Sequence, residues 1–439
     1  MSILTSKLCS ISLYTYIIFI FFSDVIFFKL NISPYTVILK DILFLIPIYI
    51  LFFLNISLKE KIKFPNILFT IFIYFLIIIL NSIISYLHNK EVILVIIGIK
   101  SLLFYVPSFF IANKILRTSQ DFEFFLKFIL ILGSIPLLIG ITLYILILNY
   151  GYDEIMLQFY GENYRQVTQG AVWFDYGSFR LFRIPSTFNH STQYSFFIIL
   201  MMFLSNLSYF ILKDNFWKYT SLIVLIFSIF AGLTSGLRSS YLYILLFYLT
   251  YFFLSGQLKK QFVYTTCFFL IVFISLDSLF VKEFFRLIII YYELFIANFF
   301  KSFELKSLLL GIFHIGELDS GARFSLTSKR LIEITRITGN AIEGYYFYFL
   351  YSVGLFGFII FVLLMTQIFY RINILAKAQN KKIYSLVISF LVVVLISLIK
   401  TKSINYYPIN FFFWFLLGFF YYSDIFELKS FKQEKLFKK

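Results

Sequence analysis

Three stretches of this chain carry the residues able to do chemistry. The first reads Arg180-Leu-Phe-Arg183-Ile-Pro185-Ser186-Thr187-Phe188-Asn189-His190-Ser191-Thr192, and the second Gly232-Leu-Thr234-Ser235-Gly236-Leu-Arg238-Ser239-Ser240. The third lies late and scatters His314, Glu317, Asp319, Arg323, Arg330 and Arg336 ahead of Glu343, which stands at the mouth of an apolar run. Arginine is common to all three. Its guanidinium is planar, keeps its charge, and clamps phosphate or carboxylate through two parallel hydrogen bonds. In the first stretch Pro185 and Asn189 interrupt helix, and the apolar run starts at about Ser191. The polar side chains before it would cluster at a helix N-terminus, where free N–H groups and the positive dipole end favour an anion. Arg183, with Arg180, Asn189 and His190, is therefore a candidate phosphate or sugar site; ordinary capping beside a solvated arginine is the bland alternative.

Arg238, beside Ser235, falls almost at membrane depth, where a cation is costly unless it is paired or faces a wet cavity. Snorkelling to the surface is its alternative. Arg323 and Arg330 are seven residues apart, about two turns, and share a face if their segment is helical. Arg336 lies off that face. Glu343 is a candidate general base or a structural partner for an arginine. His314 is a second candidate base, or a solvated loop histidine.

The elements that must position these residues follow from composition. The chain has 439 residues, of which 61% are hydrophobic and only 14% charged, with a mean hydropathy of +0.90. A soluble domain carries roughly a quarter charged residues. Apolar runs of membrane-crossing length recur near 8–28, 34–54, 64–87, 92–112, 124–148, 191–212, 216–234, 238–255, 261–281, 342–370, 383–400 and 408–426. Each run of about 20 residues crosses about 30 Å of hydrocarbon. The expected fold is all-α, a single polytopic integral membrane domain over 1–439 with about 12 transmembrane helices and two large external loops, 149–190 and 282–341.

Charge gives the orientation. Lys59, Lys61 and Lys63, Lys114 and Arg117, Lys213 and Lys218, Lys259 and Lys260, the 371–382 segment and the lysine-rich tail all fall on alternate loops. These loops are cytoplasmic by the positive-inside rule, with both termini, and much of the formal charge of +16 is a topology signal that argues against nucleic acid as partner. Arginine runs the other way. Arg165, Arg180, Arg183, Arg238, Arg286, Arg323, Arg330 and Arg336 lie on the external side, and only Arg117 and Arg371 inside. The segment after Val281 reads as a helix on the outer membrane surface, with a re-entrant span as the alternative. No cleavage site follows the first apolar run, which is read as retained. The high Phe and Tyr content is read as codon bias with a contribution from interfacial belts. Cys9 and Cys267 fall in predicted spans, and no metal-ligand spacing, nucleotide motif or cofactor signature is present.

These blocks, in this order and on this face, resemble the O-antigen polymerase (Wzy) and O-antigen ligase superfamily. The resemblance rests on Arg183-Ile-Pro-Ser-Thr187-Phe188-Asn189 and on Leu233-Thr234-Ser235-Gly236-Leu237-Arg238. It also rests on the large late external loop, then Glu343 and Val353-Gly354-Leu355-Phe356-Gly357. It covers most of the chain in architecture but only a short part in motif. It implies a glycosyltransferase of the bacterial cytoplasmic (inner) membrane that moves a growing glycan from undecaprenyl pyrophosphate onto an incoming lipid-linked repeat unit. The product is O-antigen, capsule or exopolysaccharide, made on the outer face. Ligases of the superfamily tend to carry a histidine motif before the late span; here Gly339-Asn340-Ala-Ile-Glu343 stands there, which argues for the polymerase branch.

The implied electrostatic set is Arg183, Arg238, Arg323 and Arg330, with Glu343 as base or acceptor orienter. Arg180, Asn189, His190, Ser235, Arg336 and His314 are the expected substrate contacts. No metal or cofactor is expected. Partners are the undecaprenyl-pyrophosphate-linked oligosaccharide and the lipid bilayer, with a chain-length regulator and a flippase. The alternatives are a ligase of the same superfamily and a lipid-linked oligosaccharide flippase or exporter, which would place its charges inside the spans.

Overall fold

A computed structural model of the chain describes residues 3–30, 40–59, 67–89, 92–162, 164, 173–176, 179–256, 311, 345–378, 380–399, 401, 403–405 and 408–422. They form a helical protein. In chain order the helices are α1 (Ile3–Lys29), α2 (Ile46–Lys59), α3 (Ile67–Asn89), α4 (Val92–Leu102), α5 (Ser108–Ile115), α6 (Ser119–Tyr150) and α7 (Tyr152–Tyr160). After a hairpin come α8 (Ser191–Ile211), α9 (Asn215–Thr234), α10 (Arg238–Ser255), α11 (Tyr345–Ala378), α12 (Lys381–Ser397) and α13 (Ile409–Tyr421). Among the described residues, six helical segments are long and apolar enough to cross a membrane: Leu8–Ile26, Ile67–Leu87, Ser119–Tyr150, Ser191–Ile211, Asn215–Thr234 and Ser352–Leu375. Shorter apolar helices cover Asp41–Phe53, Ser239–Ser255 and Ile409–Tyr421.

The packing pattern suits lipid. On α9, Phe216, Tyr219, Ile223, Ile226 and Phe230 are exposed at alternating steps of three and four. Ser221, Val224, Ser228, Ala231 and Gly232 fill its buried face. Water would penalise such an apolar stripe, and hydrocarbon does not. α8 is different: it is buried from Ser195 through Ser205 without interruption, which makes it a central helix. α6 lies against it through Gly133 and Gly140, where an added Cβ would run into the Met201 thioether and the Tyr194 ring. Small residues at such seams let helix backbones approach closely.

Helix ends sort into two groups, as consecutive crossings require. At one end Lys127 of α6 stands 5.5 Å from the Trp217 ring centroid of α9, and Lys382 of α12 stands 5.8 Å from that of Phe210 at the close of α8. The opposite end gathers the start of α8, the α9–α10 turn and α7.

Three expected spans are less regular than their hydropathy suggests. The 92–112 run is two helices, α4 and α5, joined by a turn that ends at Pro107. Within the 34–54 run, a π-helix over Asp41–Leu45 precedes α2. Inside α11, Gly354 takes φ 80° and ψ 177° and divides the helix. A residue with a Cβ does not reach that conformation without strain. The break leaves the Val353 carbonyl to the Asn81 Nδ2 of α3, at 3.5 Å. The Val353-Gly354-Leu355-Phe356-Gly357 motif is thus a helix break and a packing point, since Gly357 also lies close against Ile77.

The first long loop, 149–190, contains α7 and an antiparallel hairpin of β1 (Trp173–Tyr176) and β2 (Phe179–Phe182). The 261–281 run and, apart from Gly311, the 282–341 loop lie outside the described residues.

Candidate functional site

The 183–190 segment is held by contacts from α1, α6, α7 and the turn between α9 and α10. Ser186 takes φ 57°, the non-glycine residue with positive φ among the described residues. Left-handed backbone at a serine costs about 1–2 kcal/mol and persists only where surroundings enforce it. They do so here. Its Oγ donates to the Pro136 carbonyl of α6 at 2.5 Å. The Tyr160 hydroxyl of α7 is shared between the carbonyls of Ser186 and Phe188, the latter at 3.1 Å. Tyr152 of α7 stacks on Phe182 and reaches the Arg183 carbonyl at 3.5 Å. Phe188 N–H closes a turn on the Pro185 carbonyl at 3.1 Å.

The second stretch meets the first directly. Ile184 N–H donates to the Ser235 carbonyl at 3.2 Å. Gly236, at φ 70°, sits so close to the Phe182 carbonyl that a Cβ there would overlap it. Only glycine satisfies both the backbone angle and the approach. Ser235 Oγ donates to the Gly232 carbonyl at 2.9 Å and shares a contact of 3.0 Å with Ser240 Oγ. Ser240 in turn meets Ser195 Oγ of α8 at 2.6 Å. Ser235, an expected substrate contact, is thus engaged in joining α8, α9 and α10.

The remaining expected residues have definite places. His190 caps α8, its Nδ1 accepting from Thr192 N–H at 3.1 Å, which puts the neutral ring's proton on Nε2. Asn189 donates its backbone N–H to Asp24 Oδ2 of α1 at 3.2 Å. Arg180 stands directly opposite Asp175 in the hairpin register. Arg238 opens α10 two residues after Gly236, and Arg183 is half-buried. The Arg180 and Arg238 side chains, and Arg323, Arg330, Arg336, His314 and Glu343 entirely, lie outside the described residues. Thr187 Oγ1 and Gln193 Oε1 are buried with no hydrogen-bond partner among the described residues. An orphaned buried polar atom costs about 1–3 kcal/mol; one of these lies in the loop ahead of α8 and the other in its first turn.

Two features escaped the sequence reading. Tyr160 is one; nothing marks it among so many tyrosines. Burial, then the charges of Tyr152, Asp24 and Tyr194 were they ionised, push its hydroxyl well above the ordinary value of 10.0, so it stays a donor to the loop. The other is a charge cluster inside the predicted spans. Lys40 Nζ lies 3.8 Å from Asp24 Oδ1 and 2.9 Å from Ser23 Oγ. Lys100 Nζ of α4 lies 3.1 Å from Asp41 Oδ2. Asp41 also accepts from Tyr16 at 2.8 Å and Tyr105 at 3.2 Å. The signal was available, since ionisable residues within apolar runs default to function. Among the described residues no cluster could hold a metal ion.

No family model, curated protein or solved structure matches this chain.

Proposed function

We propose that the chain polymerises lipid-linked oligosaccharide repeat units at the outer face of the bacterial cytoplasmic membrane, crossing it about 12 times with both termini inside. The growing glycan leaves undecaprenyl pyrophosphate and joins a hydroxyl of the incoming unit. The acceptor oxygen bonds to the donor's anomeric carbon, the bond to pyrophosphate breaks, and the acceptor proton passes to Glu343. The leaving group needs its charge neutralised, which is the work assigned to Arg183, Arg238, Arg323 and Arg330. Arg180, Arg336 and His314 are assigned to the sugars, while His190, Asn189 and Ser235 hold the loops that present them.

The observation that carries this reading is the meeting of the 183–190 and 232–240 stretches, joined by the Ile184–Ser235 hydrogen bond and the Gly236 approach. Two arginine-bearing motifs far apart in sequence share one end of the helix bundle, beside the N-terminus of a central helix and two orphaned polar atoms. The test uses purified full-length protein and a fluorescent lipid-linked repeat unit. Arg183→Ala and Arg238→Ala should each lower the polymerisation rate about 100-fold or more, the scale of losing one transition-state charge contact. Unchanged rates in both variants would remove the electrostatic assignment.

A second reading, an exporter of the same lipid-linked glycans, is favoured by other observations. Asp24, Lys40 and Asp41 are buried within predicted spans, and Gly354 breaks a helix of membrane-crossing length. Transporters build their sites from such features.

A further inference from the structure

We propose that Asp24, held inside the membrane layer by Lys40, is a positioning residue that fixes the 183–190 loop through the Asn189 N–H. The cluster contains two carboxylates, Asp24 and Asp41, and two ammonium groups, Lys40 and Lys100, so it carries no net charge. Asp24, Lys40 and Asp41 are each 2% exposed or less. A well-packed apolar replacement of such a cluster is often neutral or better for stability. Holding the helices together therefore does not by itself account for the cluster.

The two carboxylates differ in where their bonds lead. Asp41 is satisfied by Lys100, Tyr16 and Tyr105, all from the membrane layer. Asp24 faces Lys40 with Oδ1 and turns Oδ2 to the backbone N–H of Asn189, in the loop ahead of α8. A carboxylate bonded to a backbone N–H is stronger than a neutral pair and fixes the backbone, whatever the side chain. The bond lies one residue before the His190 cap and two after Thr187, whose hydroxyl is buried and orphaned among the described residues. A π-helix, a helix irregularity frequent at functional sites, begins at Asp41 beside Lys40. Lys29 of the same α1 adds a contact at this end, donating to the Gln158 carbonyl of α7 at 3.1 Å. Helix α1 thus acts as a post against which the loop is set.

The geometric part of this proposal stands by itself; its consequence for catalysis rests on reading the loop as a wall of the polymerase site. The experiment separates the two. In full-length protein with Cys9→Ser and Cys267→Ser, a Thr187→Cys substitution reports loop exposure by its rate of maleimide labelling. Two charge-balanced backgrounds are compared. Asp24→Asn with Lys40→Met retains an acceptor for the Asn189 N–H, whereas Asp24→Leu with Lys40→Met does not. Labelling should be about tenfold faster in the leucine pair than in the asparagine pair, the factor expected of one hydrogen bond. Equal rates, fast or slow, overturn the proposal. In the chain with its native Thr187, the leucine pair should also shorten the glycan product while the asparagine pair does not. If labelling separates the pairs but product length does not, the loop is latched as proposed and the polymerase reading of that loop falls.

Discussion

Replacing Gly236 by alanine should open the seam between the two arginine-bearing loops. The residue sits at φ 70°, and its missing Cβ points at the Phe182 carbonyl and the Arg183 N–H. Left-handed backbone at alanine costs about 1–2 kcal/mol. Relieving the overlap means separating the two segments, which forfeits the 3.2 Å Ile184–Ser235 hydrogen bond, about 0.5–1.5 kcal/mol. The sum, about 1.5–3.5 kcal/mol, corresponds to roughly 10- to 300-fold more opening at this seam. Amide exchange at Ile184, followed by mass spectrometry, reads that ratio directly. Gly256 supplies the control, because it is left-handed at φ 76° and only the flexible Lys381 ammonium, at 3.4 Å, lies near its Cβ position. Gly256→Ala therefore carries the backbone cost without the overlap, and lies at the far end of α10 from the seam. Exchange at Ile184 should accelerate in Gly236→Ala and stay at the parent rate in Gly256→Ala. Parent-like exchange in Gly236→Ala would refute the reasoning.

Other perturbations follow from the same geometry. Tyr160→Phe leaves the Ser186 and Phe188 carbonyls without their shared donor, and should lower stability by about 1–3 kcal/mol in a detergent melt. Because the Tyr160 hydroxyl is pushed up by burial, its contribution is intact below about pH 10 and fades as pH rises from the unfolded value towards the folded one. The alkaline fall in melting temperature should thus be shallower in Tyr160→Phe. Asp24→Asn alone takes from buried Lys40 the carboxylate at 3.8 Å and should cost up to about 3 kcal/mol, with much of this recovered by adding Lys40→Met; a melt showing no recovery would count against the pairing. Gly354→Ala should cost about 1–3 kcal/mol for its backbone angle, and an unchanged melting temperature would argue against the helix break.

Much of the helical frame was legible because its signal is simple. Runs of about 20 apolar residues must be helices in lipid, since no other open structure satisfies the backbone there. The start of α8 at Ser191 and of α10 at Arg238 followed from the Pro, Asn and Gly residues before them. The breaks did not. Gly354, the π-helix at Asp41 and the turn ending at Pro107 sit inside continuous apolar runs, and hydropathy averages over them. In the candidate site, the meeting of Arg183 and Arg238 segments was legible from their common side. The capping role of His190 and the turn role of Ser235 were not, because residue type does not distinguish a ligand contact from a backbone one. Asp24 and the adjacent Lys40-Asp41 stand inside apolar runs, so their presence is legible but their partners are not. Their pairing depends on two helices folding side by side.

The central claim is polymerisation as against export, and surface glycan in a deletion strain tests it most directly. Without this chain, the account predicts single repeat units on the cell surface and no longer polymer, with length restored on complementation. Loss of all surface glycan would contradict it and establish the exporter in its place.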